Sequence, residues 1–292
     1  MPSPIIDACN LPNGLTLELL RAGGAGKTPI LCIPGLTRNV RDFANVIETF
    51  AATDREVIAM SLRGRSGSAR AEMTSYTPTI YRDDALALLD TLGIDEAIFL
   101  GTSLGGITTM LAAEKAIDRI KAAIINDIGP ELAPDGIMRI VKSMNAHGDG
   151  SRPRAGLQAP VSFDQAVEAI RGVNEVAFPG QDHAFWDAFA RRTYRETASG
   201  QWVLDFDPQI GVALTQAPPT PDLWPGFKAL AERPTLVIRG AISDLLTAEI
   251  VAEMRAAHPG FDYAEVANIG HAPMLDEPDA VAAIKSFLDK LA

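Results

Sequence analysis

The sequence predicts an α/β protein built on a mostly parallel sheet with helices on both faces. Three observations predict it. Short apolar runs rich in Val and Ile recur along the chain, segments of helical period separate them, and the alternation breaks once, over residues 134–233. Strand and helix in alternation mean βαβ units, whose sheet must be covered on both sides to bury its side chains. With 292 residues, 47% of them hydrophobic, the chain is long enough to bury a full core.

The expected strands, in order, are LTLELL (15–20), PILCI (29–33), EVIAM (56–60), AIFL (97–100), AAIIN (122–126), TLVIR (235–239) and FDYAEV (261–266). Between them, Val40, Phe43, Val46, Ile47 and Phe50 fall on one helical face, as do Val281, Ile284, Phe287, Leu288 and Leu291. Thr77-Pro78 and Glu277-Pro278 each place a proline at a first helical position. An amphipathic helix is expected to follow the turn at 101–106 as far as Glu114. Residues 134–233 read as helices over 136–147, 162–174 and 182–197, closed by the Pro-rich run APPTPDLWPGF (217–227). This segment is expected to be an inserted helical cap, since a structureless loop of that length does not suit a compact domain. The division is thus core over 1–133, cap over 134–233 and core again over 234–292. All three tryptophans, Trp186, Trp202 and Trp224, fall in the cap, where core packing explains at least two of them more simply than substrate contact.

Composition excludes several function classes. A formal charge of −11 and a pI near 4.9 argue against nucleic acid, which attracts basic surfaces. The two cysteines, Cys9 and Cys32, are too few for a disulfide framework or a thiolate zinc site, and no residues have metal-ligand spacing. The longest uncharged stretch, 97–113, is broken by Gly101, Gly105 and Gly106, and the N-terminus has neither a basic start nor a long apolar run. A soluble cytoplasmic protein without membrane association is expected. GGAGKT (23–28) lacks the first glycine of a phosphate loop, Arg21 standing there, and reads as a hairpin loop; SLRGRSGS (61–68) lacks dinucleotide-fingerprint spacing, with Arg63 and Arg65 structural.

The chemistry gathers around FLGTSLGGIT (99–108). Ser103 stands between a strand and a helix on a glycine-tight turn, the setting that lifts a nucleophilic hydroxyl clear of the sheet. A serine needs a base, and histidine suits the task near neutral pH. Of the four histidines, His147, His183 and His258 read as loop, surface or capping residues, whereas His271, in NIGHAPMLDEP, lies on a Gly-rich loop between the last strand and last helix. The imidazole in turn needs a carboxylate. Asp127 closes one strand and Asp244 follows the next, both at carboxyl ends where sites of parallel sheets form, and the chain order Ser, Asp, His permits either. An oxyanion would be held by two backbone N–H groups: that of Leu104, after the nucleophile, and that of Leu36 in IPGLT (33–37).

With IPGLT, GTSLGG, RGAISD and GHAPMLDEP in that order, the chain resembles the α/β-hydrolase fold superfamily over nearly its whole length. It looks most like the capped bacterial serine esterases and lactonases, in which the acid follows the strand after the cap; that resemblance favours Asp244 over Asp127. Members often carry His-Gly before the oxyanion donor, where this chain has Pro34-Gly35. Ser103 occupies the position at which haloalkane dehalogenases and epoxide hydrolases carry aspartate, which disfavours those chemistries. The resemblance implies a serine hydrolase acting on a small-molecule carboxylic ester or lactone without a cofactor, as a monomer or homodimer. Carbon–carbon bond hydrolases and acyl transferases share such a triad, and receptor-like members of the fold rank third.

Overall fold

The computed structural model describes residues 3–52, 54–146, 160–216 and 221–291. Its centre is an eight-stranded sheet: β1 (Ile5–Asn10), β2 (Thr16–Ala22), β3 (Lys27–Ile33), β4 (Arg55–Met60), β5 (Ala97–Thr102), β6 (Ile120–Asn126), β9 (Thr235–Gly240) and β10 (Asp262–Val266). The spatial order is β1-β2-β4-β3-β5-β6-β9-β10, antiparallel at β1–β2 and β2–β4 and parallel elsewhere. Every predicted strand is present. The central β5 and β6 are buried on both faces, hence their unbroken apolar runs. β1 went unpredicted because it is an edge strand whose side chains, Ile5 and Ile6 included, are mostly exposed, so no burial pattern marks it. Residues 23–28 do not close a hairpin, because β2 pairs with β4 and β3 lies beyond it.

The core helices are α1 (Ala44–Phe50), α2 (Pro78–Leu92), α3 (Leu104–Ala116), α9 (Ala248–Ala257) and α10 (Pro278–Asp289). Both proline starts are confirmed at α2 and α10. α3 is not amphipathic as expected: Leu104–Ala113 is buried on all sides, a helix enclosed by its neighbours. Its two buried threonines, Thr108 and Thr109, return their hydroxyls to the carbonyls of Leu104 and Gly105 and leave no unpaired donor.

Between β6 and β9 lie α4 (Pro134–Ala146), α5 (Phe163–Asn174), α6 (His183–Thr193), the antiparallel pair β7 (Tyr194–Glu196) and β8 (Trp202–Leu204), α7 (Gln209–Gln216) and α8 (Trp224–Ala229). The helix expected to reach 197 stops at Thr193. Tyr194 and the Trp202-Val203-Leu204 run, with a turn at Gly200 (φ 76°) between them, form the small sheet instead. Part of the expected Pro-rich connection, 217–220, and all of the loop holding His147 lie outside the described residues. The rest of that connection becomes α8, which packs on α3: a Cβ at Gly226 would stand 2.1 Å from the Met110 carbonyl oxygen. No helix among the described residues is long and apolar enough to cross a membrane.

The sheet and α3 meet with no room to spare. A Cβ at Gly105 would lie 1.9 Å from the Ile33 carbonyl oxygen, and one at Gly101 2.4 Å from the backbone of Gly105. The substitution Gly105→Ala is therefore expected to lower stability by about 3 kcal/mol, read as a fall in the urea midpoint at unchanged slope.

Candidate active site

Ser103 sits at the corner between β5 and α3 with φ 53° and ψ −116°, a conformation that L residues rarely adopt and that costs of order 1–3 kcal/mol. The corner is held by hydrogen bonds on both sides. Ser103 N–H donates to the Asn126 carbonyl (3.0 Å), and the Ser103 carbonyl accepts from Gly106 (2.8 Å) and Ile107 (3.2 Å). Its Oγ lies 2.8 Å from His271 Nε2.

His271 is reached from the far end of the chain, on the loop between β10 and α10. That loop is tied down twice: Gly270 N–H donates to the Ala177 carbonyl, and Asn126 Nδ2 donates to the Pro273 carbonyl at 2.9 Å. The other ring nitrogen, Nδ1, lies 2.8 Å from Asp127 Oδ2. Because a carboxylate only accepts, Nδ1 carries the proton and Nε2 is free to accept from Ser103, a tautomer assigned from the network.

Asp127, then, is the histidine's partner, and the expectation for Asp244 is corrected. Asp127 immediately follows β6, whose last residue pairs with Thr102, so its side chain starts one strand away from Ser103. It is fully buried, with φ 55°, and its oxygens also accept from Gly240 N–H (2.8 Å) and Ser243 Oγ–H (2.7 Å). The loop after β9 thus contributes hydrogen-bond donors to Asp127 in place of a carboxylate partner for His271. Ser243 was missed in the sequence; its only signal there is its place beside Asp244. Asp244 turns outward, where Arg139 of α4 grips it through Nε (2.5 Å) and Nη2 (2.8 Å). Burial pushes the Asp244 carboxyl up, but the Arg139 hydrogen bonds and charge, with a smaller pull from His271, hold it below the ordinary carboxylate range.

The remaining candidates fall as follows. Leu104 opens α3, so its N–H is among those a helix start leaves without an intrahelical acceptor. Leu36 occupies a turn closed by Arg38 N–H to the Gly35 carbonyl (3.2 Å), and a Cβ at Gly35 would stand 3.6 Å from Ser103 Cβ. Leu104 thus follows Ser103 directly, and Leu36 lines the same cavity as Ser103. His183 pairs with Asp187 on an exposed helix start, and His258 ends α9 between Phe227 and Phe261, where burial lowers its pKa. Arg63 is structural as expected, bidentate to the buried Asp84. Cys32 is fully buried and its thiol is pushed up by desolvation, an inert setting. Among the described residues, no group of three or more His, Cys, Asp or Glu could hold a metal ion.

Ser103 and His271 open into a cavity of about 170 Å³. Leu36, Ile140, Met144, Phe178, Phe189 and Met274 give it apolar walls, and Arg38, Asp42 and Arg139 supply charge. No tryptophan lines it. Trp186 packs among Phe178, Phe185 and Phe189, Trp202 lies on Phe163, and Trp224 donates to Glu131.

Comparison with known proteins agrees with this architecture. The model of the alpha/beta hydrolase family matches residues 30–284. A 3-hydroxybutyrate-oligomer hydrolase of Cupriavidus necator is 30% identical over 96% of this chain and 95% of its own. A 2-(acetamidomethylene)succinate hydrolase of Mesorhizobium japonicum is 25% identical over 94% and 92%. The crystal structure of an alpha/beta hydrolase from Novosphingobium aromaticivorans superposes with a TM-score of 0.87 at 36% identity, covering 99% of each chain.

The Arg139–Asp244 pair joins α4 to the loop after β9, and its strength follows the Asp244 charge. A depressed folded-state pKa stabilises above the ordinary carboxylate value, and that contribution is lost as pH falls through the folded one. At neutral pH, Asp244→Asn is expected to speed amide exchange in α4 relative to wild type. The difference should vanish as acid protonates the wild-type carboxyl; a pH-independent difference would refute the assignment.

Proposed function

Given that this chain belongs to the alpha/beta hydrolase family, we propose that it is a serine hydrolase that cleaves a carboxylic ester or lactone through an acyl-enzyme. The observation that carries the reading is the continuous array Ser103 Oγ, His271 Nε2, His271 Nδ1 and Asp127 Oδ2, with 2.8 Å at each hydrogen bond. Ser103 attacks the carbonyl carbon while His271 takes its proton; Asp127 fixes the tautomer and stabilises the imidazolium. The tetrahedral oxygen is held by the N–H groups of Leu104 and Leu36. His271 then passes its proton to the leaving alkoxide, and a water deprotonated by His271 hydrolyses the acyl-enzyme.

Residues 134–233 act as a cap in this reading, since Arg139, Ile140, Met144, Asn174, Phe178 and Phe189 all face the cavity from that segment. The apolar side of the wall suits a short acyl chain. The name of the Cupriavidus relative, a hydrolase of hydroxyacid oligomers, supports an ester as the scissile bond.

The test is hydrolysis of p-nitrophenyl esters from acetate to decanoate by wild type, Ser103→Ala, Asp127→Asn and Asp244→Asn. Ser103→Ala should abolish turnover, Asp127→Asn should lower kcat by about 10⁴-fold, and Asp244→Asn should stay within about tenfold of wild type. Equal losses at the two aspartates would reject the assignment of the acid. A wild type inert to esters whose Ser103 still reacts with a fluorophosphonate would move carbon–carbon hydrolysis or acyl transfer to the front. Widening the wall with Phe178→Ala or Phe189→Ala should shift the optimum toward longer chains, whereas Trp202→Ala should leave it in place.

A further inference from the structure

Arg65 is among the largest fully buried side chains of the described residues. Its guanidinium donates from Nε (2.9 Å) and Nη2 (2.7 Å) to one atom, the Leu36 carbonyl oxygen, and from Nη1 to the Arg63 carbonyl (2.7 Å) and Tyr81 hydroxyl (2.9 Å). Each of these acceptors is neutral. Two residues away, Arg63 has the usual arrangement, a bidentate carboxylate partner in Asp84. Burying a guanidinium on neutral acceptors, even with the Tyr81 ring 4.8 Å and the Tyr76 ring 5.9 Å from it, is costly without a carboxylate, so its placement calls for a reason beyond filling space.

The reason lies in what Arg65 grips. Leu36 and Thr37 are the central residues of the turn Gly35–Arg38, and the peptide between them is the part of a four-residue turn that rotates most freely. Freed from Arg65, the Leu36 carbonyl would be an acceptor without a donor, and the open space beside its turn is the cavity that Leu36 and Thr37 line. A carbonyl turned that way would face the developing oxyanion. Held by two N–H groups, it points to Arg65, and the trans peptide directs Thr37 N–H the opposite way.

Arg65 is itself fixed from a second direction. Its backbone bridges Phe206, Ser66 N–H donates to the Asp205 carbonyl (2.8 Å), and Asp207 N–H donates to the Gly64 carbonyl (2.7 Å). A strand-like contact from the inserted segment thereby sets the height of the side chain that sets the turn.

We propose that Arg65 is the positioning residue of the oxyanion turn, holding the Leu36 carbonyl out of the cavity so that the tetrahedral oxygen meets the N–H groups of the turn and not an opposing carbonyl. This rests on the serine hydrolase reading above. The test compares wild type, Arg65→Lys and Tyr81→Phe in three measurements: kcat and KM for p-nitrophenyl butyrate, the inhibition constant of 1-butaneboronic acid, and thermal unfolding. The boronate adds to Ser103 and puts an oxygen in the oxyanion hole, so it reports the hole independently of turnover. Arg65→Lys should lower kcat by about a hundredfold with KM within threefold, and weaken the boronate by the same factor. Tyr81→Phe, which keeps the guanidinium but removes one of its acceptors, should move kcat and the boronate together by a smaller factor, and it decides the matter alone if Arg65→Lys does not fold. Folded variants whose boronate affinity stays within threefold of wild type overturn the role of Arg65 and leave the hydrolase reading standing. A wild type that neither turns over esters nor binds the boronate overturns both.

Discussion

The structure depends on one tight corner. Ser103 is held at a positive φ where a parallel strand gives way to a buried helix, and the corner exists only because backbone can approach backbone at Gly101 and Gly105 and the Ile128 side chain can approach Gly106. The strain at Ser103 is held in place by the packing of α3, which is enclosed on every side and unable to relax outward. Everything else in the site is aimed at this point. Asn126 does much of the aiming: its carbonyl receives the Ser103 N–H, its side-chain amide donates to Thr102 Oγ1 and the Pro273 carbonyl, and its neighbour in the chain is Asp127. One residue thus ties together the strand ends and the loop that carry Ser103, Asp127 and His271.

Most of this frame was legible in the sequence because burial writes itself into residue pattern. Strands covered on both faces leave unbroken Val and Ile runs, and a strand-to-helix corner with no space leaves glycines. The same logic explains the failures. β1 is exposed and leaves no such pattern, and β7 and β8 are three residues each, too short for alternation to show. The amphipathic reading of α3 failed because a helix wrapped by neighbours needs no polar face.

At the site, Ser103, His271, Leu104 and Leu36 were singled out from local context, since each lies on a turn whose residues announce a sharp change of direction, and the structure places Ser103 Oγ within 2.8 Å of His271 Nε2. The choice between Asp127 and Asp244 could not be made locally. Both follow strands, and the difference lies in where the strands stand: β6 is beside β5, whereas β9 is one place further out. Resemblance to capped esterases pointed to the farther one. In this chain that position answers Arg139 instead, and Ser243, one residue earlier, donates to the nearer acid. Arg65 shows the opposite limit: its burial is invisible in a Gly-rich polar loop, because what covers it comes from residues 205–207, far away in sequence.

With Asp127 directly after β6, Ser103 and Asp127 both precede residues 134–233, and of the three hydrogen-bonded residues only His271 follows them. The strand on which the chain re-enters the sheet brings hydrogen-bond donors but no reacting group. Length changes within the insertion therefore leave the spacing of Ser103 and Asp127 untouched, and they reach His271 only through a loop that the core itself anchors at Pro273. Such an arrangement keeps Ser103 and Asp127 at adjacent strand ends whatever chain runs between β6 and β9.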